Sequence, residues 1–416
     1  MNKIPLNKFK IINDPVFGFI KIRYELLFSL IEHPLLQRLR RIRQLGMTHF
    51  VYPGANHTRF QHALGAMHLM NNAIEEIRSK GHEITFEEAE AANAAILLHD
   101  IGHGPFSHTL ERTLIQGVNH EEISRMMMEQ LNKEFSGRLS LAIEIFTDSY
   151  KKHFLHQLVS GQLDVDRLDY LRRDSFFTGV TEGAIGSDRI IKMLQVHNDQ
   201  LVVEEKGIYS IEKFLMARRL MYWQVYLHKG VVAGDQLLIM MLRRAHELAM
   251  DGKKLFATPA LEYFLYNRGG KFTFEKKEDF LEQFSALDDN DIISAAKVWA
   301  NDEDKLLQFL CKGFINRRLF RIEIRDHAFE EDRIERIKET IAQQMNFNAH
   351  EISHLVISDT ISNHAYSNMD DHIQILGKDG VVKDISSVSE ILNVSALSAK
   401  IRKFYLCYPK NIEELQ

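Results

Sequence analysis

An adjacent histidine and aspartate are the residues of this sequence with the clearest capacity for chemistry. His99 and Asp100 follow the apolar run 96–98 and precede a loop, 101–108, that holds two glycines, a proline and two more histidines. Imidazole nitrogen and carboxylate oxygen together suit divalent ions of the transition series. The pair therefore predicts a metal site at the end of a buried helix.

Two other segments could complete this site. The upstream segment 57–62 ends in a histidine, and the downstream segment 164–170 contains three aspartates. Two neutral histidines and two aspartates would leave a bound dication near electrical neutrality. The predicted ligands are His62, His99, Asp100 and one of Asp164, Asp166 and Asp169. Spacing alone leaves the choice among the three aspartates open.

Length and charge limit the class of protein. A chain of 416 residues exceeds the size at which one hydrophobic core usually stops growing, which predicts a large domain with a smaller one appended. The net charge of -5 gives no sign of a protein that neutralises many nucleic-acid phosphates, although a local basic pocket is compatible with it. The sequence therefore leaves open whether the protein binds nucleic acid.

The remaining composition predicts a soluble cytoplasmic protein. Cys311 and Cys407 are the only cysteines and have no metal-type spacing, which favours inert thiols in a reducing compartment. The N-terminus lacks the apolar run of a secretory signal, and no later run is long enough to cross a bilayer. We therefore expect no membrane partner.

Hydrophobic periodicity predicts a mostly helical chain with two small hairpins, at 9–22 and 191–205. Thr85 and Glu88 have the spacing of a capping box, which starts a helix that carries the predicted ligands at 99 and 100. Another helix is predicted from Asn119 or His120 to residue 131. Longer helices are expected at 154–173 and at 210–248, the second loosened at two glycines, Gly230 and Gly234.

The pattern changes near residue 318, where strand-like segments begin. The predicted strands are 319–325, 352–358, 372–376 and 404–408, with a helix at 331–344. These segments predict a C-terminal α+β domain at 318–416, which follows a helical domain at 1–317.

Three motifs together resemble a known family. Segments 44–62, 99–108 and 164–170 resemble the HD-domain phosphohydrolases, and most closely the deoxynucleoside triphosphate triphosphohydrolase branch that includes bacterial members and the sterile-alpha-motif/HD-domain enzyme. The likeness is dense from about residue 10 to 230 and thin beyond. It implies a helical-bundle core with the HD motifs at about 50–175.

The family pattern selects Asp166 as the fourth metal ligand. Helical spacing supports this choice, because Asp166, Tyr170 and Asp174 recur every four residues and share one polar face. The resemblance implies one divalent transition metal, Fe, Mn, Zn or Ni, with Mg accompanying a triphosphate. A metal held this way can polarise a phosphoryl oxygen and activate water. Hydrolysis of a phosphoester is the expected chemistry.

Three histidines are the expected catalytic residues. Attack at the α-phosphorus releases a nucleoside 5′-oxygen, a strong base that needs a proton donor. The resemblance implies that His120 is this acid and that His103 and His108 lie around the α-phosphate.

The resemblance also implies the residues that bind a dNTP. Arg59, Arg167 and Arg218 would contact the phosphates, since arginine forks fit phosphate oxygens, and Tyr170 would add a hydroxyl donor. The family usually has a lysine at the position of Arg167 and often a histidine at that of Tyr222.

Selection of the sugar would depend on four residues. The resemblance implies that Gln44 and Asp174 bind the 3′-hydroxyl, while Leu45 and Tyr226 fill the space of a 2′-hydroxyl. It also implies a homo-oligomer and a nucleotide activator. Two alternatives stay open: an HD phosphodiesterase or nucleotidase that acts on another phosphoester, and a non-catalytic protein that binds nucleotide or nucleic acid.

Overall fold

A computed structural model describes residues 10–106, 109, 113–115, 117–267, 277–363, 372–389 and 401–410, and it is mostly helical, as predicted. The helices are α1 (Glu25–Glu32), α2 (Pro34–Arg38), α3 (Arg59–Ser79), α4 (Phe86–Leu98), α5 (His120–Glu134), α6 (Ser140–Phe146), α7 (His153–Val159), α8 (Val165–Thr178), α9 (Ser187–Met193), α10 (Ile208–Met221), α11 (Lys229–Met250), α12 (Pro259–Leu265), α13 (Lys277–Ala286), α14 (Asp289–Trp299), α15 (Lys305–Ile315), α16 (Glu331–Met345), α17 (Ala349–Ser353) and α18 (Ile385–Val388). The strands are β1 (Lys10–Asp14), β2 (Gly18–Ile22), β3 (Leu194–His197), β4 (Gln200–Glu204), β5 (Arg321–Arg325), β6 (Ile357–Asn363), β7 (Gln374–Leu376), β8 (Val382–Asp384) and β9 (Ile401–Tyr408).

Helix α3 is the centre of the bundle, because it packs against both α4 and α8. Small side chains on α4, among them Ala92 and Ala95, are fully buried and let the helices approach closely. This packing brings together the first turn of α3, the end of α4 and the first turn of α8. These are the three places where the predicted metal ligands lie.

The contact between α3 and α8 requires a glycine. A Cβ atom on Gly65 would overlap the carboxylate of Asp169 and the guanidinium of Arg173, both fully buried. Alanine at this position would therefore push apart the two helices that carry the predicted ligands.

Groups far along the chain hold the loop after the His-Asp pair. Arg38, 1% exposed, donates to the carbonyl oxygens of Ile101 at 3.2 Å, His103 at 2.9 Å and Leu287 at 2.7 Å. The carboxylate of Asp289 accepts the backbone N–H of Phe106 at 3.0 Å. Burial lowers the pKa of Arg38 to about 9 and raises the pKa of Asp289 to about 6.

The single helix predicted at 154–173 is wrong. The structure has two helices, α7 and α8, separated by residues 160–164. Asp164 caps α8, since its side chain accepts the backbone N–H of Arg167 at 2.7 Å, and it also accepts the N–H of Gly161 at 2.9 Å. An aspartate at an N-cap was the signal for this boundary.

The long helix predicted at 210–248 is broken, but at neither glycine. A π-helical turn, Tyr222–Tyr226, ends α10, and a bend of 55° precedes α11. His228 caps α11 by accepting the N–H of Gly230 at 3.0 Å, and Gly234 packs within α11 against Met47. Within the described ranges, no single helix has the length and apolar composition to cross a membrane; only this bent pair passes that test jointly.

Both predicted hairpins are confirmed, as β1–β2 and β3–β4. Residues Asn198 and Asp199 turn the second hairpin with φ of 50° and 63°, conformations that these residue types tolerate. The strand predicted at 352–358 is partly wrong, because Ile352 lies in α17 and β6 begins at Ile357. Asn348 caps the start of α17, and this helix includes the first two residues of the predicted strand.

The C-terminal strands form two sheets. Strands β5, β9 and β6 form an antiparallel sheet, and β7 pairs in parallel with β4 to give the order β3-β4-β7-β8. This second sheet joins segments on both sides of residue 318, where a domain boundary stays a prediction. Both cysteines are buried free thiols, and burial raises the pKa of Cys311 and Cys407.

A buried glutamate fixes the start of α4. Glu88 accepts the backbone N–H of Thr85 at 2.8 Å, the hydroxyl of Tyr150 at 2.6 Å and the ammonium of Lys152 at 2.7 Å. Burial opposes the charged carboxylate, but Lys152, Tyr150 and the Thr85 N–H outweigh it and lower the pKa of Glu88. Ionised Glu88 therefore stabilises the fold.

Glu88→Gln should lower the free energy of unfolding by about 1–3 kcal/mol at pH 7, since a charge-assisted network is lost. Because the folded pKa lies below the usual 4.5, this stabilisation is present above about pH 4.5 and disappears as pH falls. Urea unfolding of both proteins at several pH values measures the difference. Glu87→Gln, an exposed neighbour, is the control; a pH-independent loss for Glu88→Gln would contradict the argument.

Candidate metal centre

Three predicted ligands meet in one cluster. The Nε2 atom of His62 lies 3.0 Å from Asp166 Oδ1 and 3.4 Å from His99 Nε2. His99 Nε2 lies 3.6 Å from the same Asp166 oxygen. These atoms come from the first turn of α3, the C-cap of α4 and the first turn of α8. The cluster fits a divalent metal site.

Asp100 adjoins this cluster. Its Oδ1 lies 3.3 Å from His99 Nε2, and its Oδ2 lies 3.8 Å from His62 Nε2. The carboxylate also pairs with the guanidinium of Arg59 and lies 3.3 Å from His103 Nε2. Asp100 is therefore within reach of the same ion, and its role as a fourth ligand stays a prediction.

Hydrogen bonds orient both histidines. Nδ1 of His62 is 2.6 Å from Asp169 Oδ2, and Nδ1 of His99 is 2.6 Å from the carbonyl oxygen of Ile96. Each oxygen accepts a hydrogen bond from Nδ1–H. The Nε2 atom of each ring is then directed toward the cluster. Ring nitrogens of metal-binding histidines are commonly held in this way.

The cluster carries an excess of negative charge. Burial disfavours charge on His62, yet Asp166 and Asp169 outweigh burial and raise its pKa to about 10. The pKa of Asp166 is lowered because His62 and His99 outweigh burial, and the pKa of Asp100 is lowered by His99 and Arg59. Carboxylates that stabilise protonated imidazoles in this way also favour a dication that replaces those protons.

The predicted catalytic histidines stack beside the cluster. The rings of His103 and His120 lie 4.0 Å apart and nearly parallel. Burial and the neighbouring Arg59 lower the pKa of His103. His108 lies outside the described residues.

Helix α5 is anchored against the His-Asp pair. Ser124 Oγ donates to the carbonyl oxygen of His99 at 2.6 Å and accepts the N–H of Gly102 at 2.9 Å. A Cβ on Gly102 would overlap the backbone of His120 and Ser124. This contact positions His120 at the start of α5.

One cavity, cavity A, opens on the metal cluster. Its volume is about 480 Å³. It is lined by His99, Asp100, Asn119, His120, Glu121, Glu122, Arg125, Phe146, Thr147, His156, Val159, Ser160, Asp164, Asp166 and Arg167. Cavity A therefore combines metal ligands, imidazoles and arginines.

A second cavity, cavity B, has a volume of about 490 Å³. It is lined by Gln44, Leu45, Gly46, Thr48, Arg59, Phe106, Thr109, Tyr222, Tyr226, Leu227, Val231, Val232, Asp235, Gln236, Ile239, Asp359, Thr360, Ile361 and Tyr405. Because Arg59 of cavity B pairs with Asp100 of cavity A, the two cavities adjoin the same charged pair.

Three other residues predicted to bind the substrate have protein partners or charged neighbours. Arg167 pairs with Asp164, its own helix cap. Arg218, 7% exposed, donates to Gln162 at 3.3 Å. Burial raises the pKa of Tyr170, and the charge of Arg218 opposes this rise.

Asp174 is enclosed by side chains. It is 1% exposed, and its oxygens lie 2.8 Å from His57 Nε2 and 2.7 Å from the hydroxyl of Tyr226. The ring of His57 stacks on Phe177 at 4.5 Å. Sequence reasoning did not identify His57, although it begins the motif at 57–62.

Asp169, one of the three aspartates that the sequence offers as ligands, contacts the far nitrogen of His62. Asp169 is fully buried between His62 and Arg173, and Arg173 in turn donates to Asp14 at 2.8 Å. The available signal was the spacing of Asp169 and Arg173, four residues apart on one helix, which allows an ion pair.

Comparison with known proteins agrees with this geometry. The HD domain family model matches residues 59–174, and the HD associated region model matches residues 185–264. The first match contains all four predicted metal ligands. HD domains bind divalent metal ions, and the cluster of His62, His99 and Asp166 has the composition of such a site.

Similar proteins cover most of the chain. A crystal structure of a phosphohydrolase from Bacteroides thetaiotaomicron is 59% identical, covers 96% of this chain and 100% of its own, and superposes with a TM-score of 0.93. Protein YwfO of Bacillus subtilis is 35% identical over 322 residues, which are 76% of this chain and 72% of that protein. The chain therefore belongs to the HD-domain phosphohydrolases.

More distant relatives include the deoxynucleoside triphosphate triphosphohydrolase SAMHD1. The human protein is 30% identical over 271 residues, which are 55% of this chain and 43% of that protein. The chicken protein is 32% identical over 264 residues and 43% of its length. The chain thus spans less than half of these two relatives.

His99→Ala and Asp100→Ala should each lose the ion of the HD centre, whereas His120→Ala should retain it, because only the first two remove ligand atoms of that centre. Metal content after dialysis, measured by plasma mass spectrometry, distinguishes the variants. Unchanged occupancy in His99→Ala and Asp100→Ala would remove the ligand assignment.

Asp169→Asn should weaken metal affinity about 10–100-fold, as expected when the partner of a metal-binding histidine is lost. Asp14→Asn is a matched control, since it disturbs the same Arg173 network without contacting His62. Titration with a competing chelator measures both affinities, and thermal melting measures both stabilities. Equal affinity losses would show that Asp169 acts only through stability.

Proposed function

We propose that this protein is a metal-dependent dNTP triphosphohydrolase that releases a deoxynucleoside and inorganic triphosphate. The observation that carries the proposal is the pair of cavities that meet at Asp100 and Arg59: cavity A holds cations and imidazoles beside the metal cluster, and cavity B holds polar and aromatic groups. The likeness to SAMHD1 proteins supports the same reaction.

The metal centre would supply the nucleophile. Bound to His62, His99, Asp100 and Asp166, a divalent transition metal would polarise a phosphoryl oxygen and lower the pKa of water toward neutrality. The chain's own contribution is orientation, since Asp169 and the Ile96 carbonyl hold the two imidazoles.

We assign His120 as the proton donor to the leaving 5′-oxygen. It lines cavity A beside the metal ligands, and its ring stacks on His103. The lowered pKa of His103 favours a neutral ring, which leaves the proton-transfer role to His120. By resemblance, His103 and His108 would contact the α-phosphate.

Arginines would balance the charge of the triphosphate. Arg59 and Arg167 line cavities B and A, and both pair with carboxylates that an anionic substrate could replace. Nε of Arg218 is buried and makes no hydrogen bond to any described residue. The charge of Arg218 opposes the rise in the pKa of the neighbouring Tyr170 hydroxyl, and a phosphate would accept hydrogen bonds from both. Mg could accompany the triphosphate.

Cavity B would take the nucleoside. Oε1 of Gln44 is buried and has no hydrogen-bond partner in the described part of the chain, so a sugar hydroxyl would satisfy it. Leu45 and Tyr226 line the same wall and supply the bulk that would exclude a 2′-hydroxyl. Asp174 positions Tyr226 in the present arrangement and would reach a 3′-hydroxyl only by exchanging that partner.

The products of the reaction test this proposal. Purified protein is incubated with each dNTP and NTP in Mn²⁺ or Mg²⁺, and products are separated by ion-exchange chromatography. We expect deoxynucleoside and triphosphate as products. The rate of His120→Ala should be about 10²–10⁴-fold lower, as for loss of a general acid. His327→Ala, an exposed histidine, is the control.

Other products would contradict the proposal. Nucleoside monophosphate would indicate a phosphodiesterase or nucleotidase, and tight nucleotide binding without turnover would indicate a non-catalytic protein. A homo-oligomer and a nucleotide activator stay predictions from the family resemblance.

A further inference from the structure

A second group of metal-type side chains lies outside the HD centre. Glu247 lies in the last turn of α11, while His350 lies in α17 and His354 is its C-cap. One oxygen of Glu247 lies 3.0 Å from His354 Nε2, and one ligand atom from each residue lies within 4.8 Å of the other two. The two histidines are four residues apart, a spacing that puts both rings on one side of a helical turn.

The ion pair with Glu247 does not fully satisfy the buried side chain of His354. The side chain of His354 is 9% exposed. Its Nε2 lies 3.0 Å from Glu247 Oε1 but makes no well-aligned hydrogen bond to a residue that the structure describes. A buried nitrogen without a hydrogen bond is costly. A cation between the imidazoles and the carboxylate would satisfy it.

The neighbouring arginine leaves one carboxylate oxygen for this cation. Arg244 directs its guanidinium to Asp304, with N–O distances of 2.6 Å and 3.2 Å, and lies 3.4 Å from Glu247 Oε2. The charges of Arg244 and Asp304 offset each other, so Glu247 contributes the net negative charge and its Oε1 faces His354.

We propose that Glu247, His350 and His354 bind a second divalent ion of the zinc class, with a fourth position open to water. Two imidazoles and one carboxylate suit such an ion and do not suit Mg²⁺ or Ca²⁺, which prefer oxygen ligands. Ligand atoms around tetrahedral zinc lie about 3.3 Å apart, close to the present 3.0 Å between Glu247 and His354. His350 is exposed, and its ligand atom lies within 4.8 Å of those of Glu247 and His354.

This ion would tie together two walls of cavity B. Helix α11 lines cavity B with residues 231–239, and the segment after α17 enters β6, which lines it with residues 359–361. A metal bridge between α11 and α17 would therefore hold the C-terminal strands against the helical bundle. Occupancy of this site does not require the proposed reaction at the HD centre.

Zinc binding by the full-length, metal-free chain tests the proposal. Asp166→Ala removes a predicted ligand of the HD centre, and zinc that this variant still binds is assigned to the second site by its loss when a second-site ligand is also removed. We expect one Zn²⁺ per chain in Asp166→Ala, and loss of this ion when His350→Ala or Glu247→Gln is added. Both added changes are at surface-accessible positions, and circular dichroism confirms folding. Adding His327→Ala instead, at an exposed histidine that is not among the three ligands, should leave the ion in place.

Two results would overturn the second site. One is an Asp166→Ala protein that binds no zinc at micromolar concentration; the other is zinc retained with unchanged affinity after both His350→Ala and Glu247→Gln. Melting provides an independent readout: zinc should raise the Tm of Asp166→Ala and should not raise it once His350 is replaced. Neither result depends on which phosphoester the HD centre hydrolyses.

Discussion

A buried carboxylate between two helices is the constraint on which the site depends. Asp169 is fully enclosed, and a charge in such a place is tolerated only when it is paired and hydrogen-bonded. His62 and Arg173 provide these partners, and Asp14 of the N-terminal hairpin completes the charge balance of Arg173. Gly65 is required because any side chain there would occupy the same space. The direction of His62 toward the cluster follows from this network.

The rest of the fold supplies rigid supports for that cluster. Arg38 and Asp289, separated by more than half of the chain, hold the loop that follows the His-Asp pair. Ser124 anchors α5 to the same loop and thereby positions His120. Each support is a buried polar group that is satisfied by backbone atoms, so loop position and burial are coupled. This arrangement leaves two cavities on either side of the Asp100–Arg59 pair.

Local sequence signals predicted most elements where the signal was a cap or a turn. The capping box at Thr85 and the turn at Asn198 were both found, since their determinants lie within four residues. The errors occurred where apolar periodicity continued through a break. Helices α7 and α8 were predicted as one helix because apolar residues continue on both sides of Asp164, which caps α8. The break before α11 arises from a π-helical turn that leaves no glycine or proline signal.

The sequence by itself predicted the composition of the centre, because His62 and His99 belong to motifs whose residue types suit a metal, and the family resemblance selected Asp166. It also determined the family, whose motifs are short and local. Only the tertiary structure decided which groups orient the ligands, how the surrounding space divides into two cavities, and that Glu247 meets His350 and His354. These contacts join residues about a hundred positions apart, and such proximity is set by packing and burial, which no local pattern encodes.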